Sequence, residues 1–270
     1  MIRVLAIGGS DSGGGAGIEA DIKTITALGG YALTAITAVT VQDTRAVHQI
    51  VPIAPDVVAR AIRVGLADIG ADAIKIGMLG SSAMVAAVAD ALAGWATHVP
   101  IVLDPVLAAS TGVSLLAADA LTELRTRLMP LARLVTPNLA EAALLSGMIV
   151  NDVEQAQAAA LALAGPCAIL VKGGHLTGTD LVDVLVRNGA VLRFSGERII
   201  TKAGHGTGCT LASAIAVGLA EGLDLGAAIE RARRFLRAAL AAAPGFGAGA
   251  GPLGHAAVEI RPARPISKGL

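Results

Sequence analysis

The run Gly204-His205-Gly206-Thr207-Gly208-Cys209-Thr210 stands directly ahead of an apolar stretch from Leu211 to Ala220. A glycine turn at a helix start leaves several backbone N–H groups pointing at one spot, and the helix dipole adds partial positive charge there. Such a spot holds a phosphate or a developing negative charge. Gly206, Thr207 and Gly208 would supply the amides. Cys209 would sit at the positive end, where a thiol pKa is expected to fall. The plain alternative is a tight loop carrying a small buried hydrophobe.

Other polar residues stand at the ends of apolar runs. Val171-Lys172-Gly173-Gly174-His175 closes one run, and a lysine among glycines at a strand end suits a phosphate. Asp104-Pro105-Val106 closes another. Thr136-Pro137-Asn138-Leu139-Ala140-Glu141 closes a third and opens a helix. Asn138 and Glu141 have the spacing of a capping box. They also suit a Mg²⁺–phosphate site, because Mg²⁺ keeps its waters and needs only one or two carboxylates. Asp21 lies one turn into the first helix, either solvated or reaching back over the preceding loop to a ligand hydroxyl or amine. Gln42 offers both donor and acceptor, which suits a heteroaromatic ring. Of the five scattered histidines, only His205 stands near this chemistry, and no metal-ligand spacing occurs.

The first loop, Gly8 to Gly17, is glycine-rich, and Gly15-x-Gly17-x-x-Ala20 matches a relaxed dinucleotide fingerprint, with Asp43 near the expected acidic position. A nicotinamide-dependent dehydrogenase is therefore a competing reading. Against it, Ser10-Asp11-Ser12 and two further glycines separate the fingerprint from the strand end. No Gly-Lys-Ser or Gly-Lys-Thr occurs, which excludes a Walker-A loop.

The elements that position these residues alternate. Strands are expected at 4–8, 35–41, 73–78, 100–104, 133–136 and 168–171. Helices are expected at 17–28, 55–68, 82–96, 115–128, 139–145, 153–164, 208–221 and 225–242. A small antiparallel set is expected at 181–186, 191–194 and 198–201, around the turn Asn188-Gly189. Strand–helix alternation implies an α/β fold with a mostly parallel sheet covered on both faces, and ligands beyond the C-terminal strand ends. No linker divides the chain, so a single domain is expected, with a poorly ordered tail from about 256 to 270.

Composition bounds the partners. The 270 residues carry 21 basic and 21 acidic side chains and 2% aromatics. Neither an electrostatic field for nucleic acid nor a stacking platform is present. No membrane partner is expected either: the longest apolar stretch, Ala158 to Val171, is broken by Gly165-Pro166 and falls short of a span. The N-terminal apolar run is too short for a signal peptide. With only Cys167 and Cys209, no disulfide framework is expected, and a reducing cytoplasm fits.

Residues 9–21, Lys75-Ile-Gly-Met-Leu79, Asp104-Pro-Val106, Thr136-Pro-Asn-x-x-Glu-Ala142, Lys172-Gly-Gly-His175 and His205-Gly-Thr-Gly-Cys-Thr210 together resemble the hydroxymethylpyrimidine/phosphomethylpyrimidine kinases of thiamine biosynthesis. The match runs in register from the first strand to about His255. The resemblance implies a ribokinase-like three-layer αβα sandwich. It implies phosphorylation of 4-amino-5-hydroxymethyl-2-methylpyrimidine, then of its monophosphate, with ATP and Mg²⁺ as cofactors. It would place Gly9, Asp21, Gln42 and Met78 around the pyrimidine, Lys172 on ATP phosphates, and Asp104, Asn138 and Glu141 around Mg²⁺ and its waters. Gly206 to Cys209 would form the anion hole, with Cys209 either helping to deprotonate the attacking hydroxyl or only shaping the hole. A homodimer is expected, and a pyridoxal kinase of the same fold is the nearest alternative. Two stretches depart from the family pattern: Leu107 to Gly112 lacks a lysine common there, and Gly249-Ala250-Gly251-Pro252 replaces Gly-His-Gly-Pro.

Overall fold

The computed structural model describes residues 1–107, 120–174 and 180–258. In chain order the elements are β1 (Arg3–Asp11), α1 (Gly17–Ala27), β2 (Tyr31–Gln42), β3 (Val47–Pro52), α2 (Pro55–Asp68), β4 (Ala73–Ile76), α3 (Ser82–Leu92), β5 (Ile101–Leu103) and α4 (Ala120–Glu123), which runs on into a π-helical turn. Then follow β6 (Leu134–Val135), α5 (Leu139–Ser146), α6 (Val153–Leu163), β7 (Ala168–Val171), β8 (Asp180–Arg187), β9 (Ala190–Glu197), α7 (Thr207–Ala220) and α8 (Leu225–Ala241).

The nine strands form one sheet in the order β3-β2-β1-β4-β5-β6-β7-β8-β9. Pairings from β2 through β7 are parallel, whereas β3, β8 and β9 are added antiparallel. Because successive strand residues face opposite ways, the sheet divides the core in two. Leu5, Ile7, Ile74, Ile76, Ile101 and Leu103 pack with α2, α3, α5 and α6. Val4, Ala6, Ala73 and Val102 face α1, α7 and α8. The three-layer sandwich expected from the sequence is therefore the observed architecture. Strand order reverses beside β1, so a crevice opens beyond its C-terminal end.

Local chemistry explains most boundaries. Ser81 caps α3 by accepting from the Met84 amide, and Asp152 and Asp224 cap α6 and α8 in the same way. Pro55 opens α2. Asn188 and Gly189 both take positive φ, 51° and 77°, as a two-residue hairpin turn requires. Two expectations fail. Residues 198–201 form no strand: Arg198 and Ile199 are half-buried along the cavity, while Ile200 is 97% exposed. In turn β3 was not expected, because His48 and Gln49 interrupt its apolar pattern and edge burial is slight. The expected helix start at 115–119, His175 and the tail from 259 lie outside the described residues.

His255 is buried against α7, 3% exposed, with Nε2 2.8 Å from Thr210 Oγ1. Burial, and next Lys23, push its pKa down to about 4. The unfolded chain takes up a proton below about pH 6.5, while the folded protein resists until about 4. Stability should therefore be full above pH 6.5 and fall as pH drops through that window, by about 3 kcal/mol. Urea midpoints of the wild type and His255→Gln at pH 7.5 and 5 check this. Equal slopes in the two proteins would remove His255 from the account.

Candidate active site

The C-terminal ends of β1, β2, β4, β5, β6 and β7 open into one cavity of about 1220 Å³. Gly9, Gln42, Met78, Asp104, Asn138, Glu141, Lys172 and Gly206 through Cys209 all line it. Residues scattered over two hundred positions are thus gathered because each ends a strand or starts the helix after one.

At the centre stands the start of α7. Gly206 has φ +83°, and a Cβ there would collide with the Gly15 carbonyl, so only glycine seats this turn against the first loop. Among the described residues, the N–H groups of Gly206, Thr207, Gly208 and Cys209 have no hydrogen-bond acceptor, whereas the Thr210 N–H bonds the Gly206 carbonyl. Four amides at a helix N-terminus therefore converge unsatisfied on the cavity. A Cβ on Gly208 would lie 3.1 Å from Lys172 Nζ and 3.3 Å from Asp104 Oδ2, so the lysine and the carboxylate stand directly over this terminus.

Lys172 Nζ donates to Asp104 Oδ1 at 2.6 Å, and Thr136 Oγ1 donates to the same oxygen at 3.0 Å. Burial opposes charge on Lys172, but Asp104 and Glu141 outweigh it and hold its pKa above the ordinary value. Glu141 is pushed up to about 7, by burial first and against the pull of Lys172, with Asp104 adding. Asn138 and Glu141 form the reciprocal capping box of α5, at 2.7 and 2.9 Å. The capping reading of this pair therefore holds in geometry, and the same two residues also face the cavity. Hard carboxylate oxygens, each partly engaged by protein donors, fit a Mg²⁺ ion that keeps its waters.

Three expectations change. Asp21 does not line the cavity. It is fully buried, accepting from Lys75 Nζ at 2.9 Å and Ser213 Oγ at 2.7 Å. The carboxylate cannot reach a ligand because α1 turns it inward against α7. Cys209 is not activated: burial pushes its thiol up to about 11, with Lys75 opposing and Asp21 and Asp104 adding to the rise. The helix terminus is outweighed by partial burial and two carboxylates. Finally, the fingerprint glycines build no dinucleotide loop. Asp11 ties the first loop down instead, accepting from the N–H groups of Gly13, Gly15 and Ala16, of which Gly15 is a fingerprint glycine.

Lys75 belongs to one of the motifs that carry the resemblance, which implies no role for it. It is the one charged residue in the otherwise apolar β4, on the face toward α1 and α7. A lone lysine inside a four-residue strand was the available signal. Arg233, Met148 and Ile149, which also line the cavity, carried no signal in the sequence.

A thiol at about 11 rather than 9.0 leaves about a hundredfold less thiolate at neutral pH. Iodoacetamide should therefore modify Cys209 slowly at pH 7.5, faster with rising pH, and more slowly still with nucleotide bound. Mass mapping checks this. Labelling at the rate of an unperturbed thiol would contradict the placement.

A profile of the phosphomethylpyrimidine kinase family matches residues 11–254. The chain belongs to this family. It is 44% identical over 256 residues to the hydroxymethylpyrimidine/phosphomethylpyrimidine kinase of Rhizobium meliloti, covering 93% of this chain and 96% of that protein. It is 45% identical to the thiamine biosynthesis bifunctional protein ThiED of Geobacter sulfurreducens, spanning 96% of this chain but 53% of that protein. Among solved structures, an ADP complex of Bacillus subtilis pyridoxal kinase superposes with a TM-score of 0.87 at 33% identity, covering 95% of this chain and 98% of that one. A phosphomethylpyrimidine kinase from Clostridium difficile superposes at 0.76 and 34%, covering 88% and 98%. The family's fold is the ribokinase-like sandwich described above, and the dehydrogenase reading falls.

Proposed function

We propose that this chain, acting as one domain, transfers the γ-phosphoryl of ATP to hydroxymethylpyrimidine, and then phosphorylates the monophosphate to the diphosphate. The observation that carries the reading is the set of four unsatisfied amides at the start of α7, beneath Lys172. Phosphoryl transfer needs positioning and charge stabilisation more than covalent chemistry. The amides of Gly206 to Cys209 hold the transferring group, and Lys172 supplies positive charge to the ATP phosphates. Asp104 and Glu141 would hold Mg²⁺ through water, with Asn138 fixing Glu141, and the bound ion would neutralise charge on the phosphates. Gly9, Met78 and Gln42, which also line the cavity, would border the pyrimidine ring. The protonated Cys209 thiol shapes the hole rather than serving as the base, and a loose transition state asks little of a base.

A cytoplasmic setting and a homodimer belong to the same proposal. No helix among the described residues is long and apolar enough to cross a membrane. The dimer rests on the exposed Val39–Val51 cross-strand pair of β2 and β3, with Val41 beside it. Light scattering of Val39→Glu against the wild type tests it.

The function is tested by kcat/KM with ATP for hydroxymethylpyrimidine, its monophosphate and pyridoxal. The two pyrimidines should be preferred. Equal or better turnover of pyridoxal would leave the kinase and remove the pyrimidine assignment.

A further inference from the structure

His205 Nε2 lies 2.8 Å from Asp11 Oδ2 and 3.0 Å from Gln42 Nε2. Asp11 already accepts the Gly13 N–H on Oδ1, and the Gly15 and Ala16 N–H groups on Oδ2. Burial works against its charge, but His205 and these amides outweigh it and hold the carboxyl below its ordinary value. Asp11 is therefore a carboxylate with no proton to give. The ring nitrogen facing it must carry the hydrogen.

That N–H also faces the Gln42 side chain. An amide NH₂ at that place sets donor against donor, whereas the amide oxygen accepts the same N–H. Nitrogen and oxygen of a glutamine amide are told apart only by such partners. Turning the amide by half a revolution places Oε1 on His205. It brings Nε2 to the position 3.4 Å from Thr40 Oγ1, which can accept because its own hydrogen goes to the Ser10 carbonyl at 2.9 Å. Every member of the chain is then matched. The second N–H of the Gln42 amide is left for the cavity that Gln42 lines.

We infer that His205 is a positioning residue: held by Asp11, it fixes the Gln42 amide so that its NH₂, not its oxygen, is presented to the substrate ring. This rests on the reading of Gln42 as a ring contact made above. The pocket then selects a ring with a bare, accepting nitrogen at that edge, and disfavours one presenting N–H or O–H there. His205 adjoins the anion-hole glycines, so one short turn serves both ends of the site: the amides after it hold phosphate, and the imidazole before them sets the polarity of the ring contact.

Nitrogen-15 NMR of the full-length protein without ligand reads the first step directly. Nε2 of His205 should be protonated. A bare Nε2 with the proton on Nδ1 would overturn the inference. Kinetics read the second step. His205→Leu should raise KM for hydroxymethylpyrimidine about tenfold, with KM for ATP moving much less. His205→Gln, which can donate to both neighbours, should recover most of the loss. In a Gln42→Leu background, His205→Leu should add nothing further. The same rise in that background, or a loss confined to ATP, would show a merely structural role and overturn the inference. A protein that phosphorylates no pyrimidine at all would refute the proposed function, while the NMR result would still decide the orientation.

Discussion

Replacing Lys172 with alanine should lower kcat by about 10²–10³, the usual cost of losing one preorganised group at a developing charge. Lys172 stands over the first turn of α7, on the same side as the unsatisfied amides, and is held there by Asp104 at 2.6 Å. Its charge acts on the phosphates and on the transition state, not on the ring. Equilibrium binding of the pyrimidine alone should therefore change little, while turnover collapses. A second consequence follows from Asp104. With the lysine gone, Glu141 loses the cation that pulls its pKa down while Asp104 still raises it, so the Glu141 pKa should climb above its present value of about 7. Steady-state kinetics and calorimetry on the folded variant separate these terms. Near-wild-type turnover would refute the assignment of Lys172.

Replacing Lys75 with methionine should destabilise the protein by about 3–5 kcal/mol, because it strands a buried carboxylate. Lys75 and Asp21 are 1% and 0% exposed and meet at 2.9 Å between β4, α1 and α7. Burial already pushes the Asp21 carboxyl up, against the pull of Lys75 and Ser213. Without the ammonium only Ser213 remains to hold it. The deficit should be largest near neutral pH. It should shrink as pH falls into the carboxylate range, since protonation then removes the stranded charge. Adding Asp21→Leu should recover most of the loss, because an apolar pair of similar volume is often as stable as a buried ion pair. Urea unfolding of the single and double variants, at pH 7.5 and pH 5, measures this. A single variant within about 1 kcal/mol of wild type would show that the pair is not the support described here.

The fold was legible where burial is two-sided. Strands such as Ala168–Val171 and helices such as Pro55–Asp68 announce themselves by apolar runs and caps, and the structure reproduces them within a residue or two. Legibility fails at the sheet edges, where strands bury little. Val47–Pro52 hides behind polar residues, and the stretch at 198–201 reads as a strand yet takes no strand conformation. The site was legible as a set of strand ends, because glycines, lysine and carboxylates are scarce in the apolar runs they terminate. Side-chain direction was not. Spacing put Asp21 within a turn of the first loop but could not say that α7 would press it inward against Ser213. Position alone gave Cys209 a helix terminus. Its thiol pKa is decided by Lys75, Asp21 and Asp104, which arrive from three other elements.

Phosphorus-31 NMR of the purified protein with Mg-ATP and hydroxymethylpyrimidine follows the transferred group itself. The γ signal of ATP should be lost as a phosphomonoester of the pyrimidine grows, followed by a diphosphate as the monophosphate is used in its turn, with ADP accumulating in step. ATP left intact, or hydrolysed to free phosphate with no pyrimidine ester formed, would contradict it.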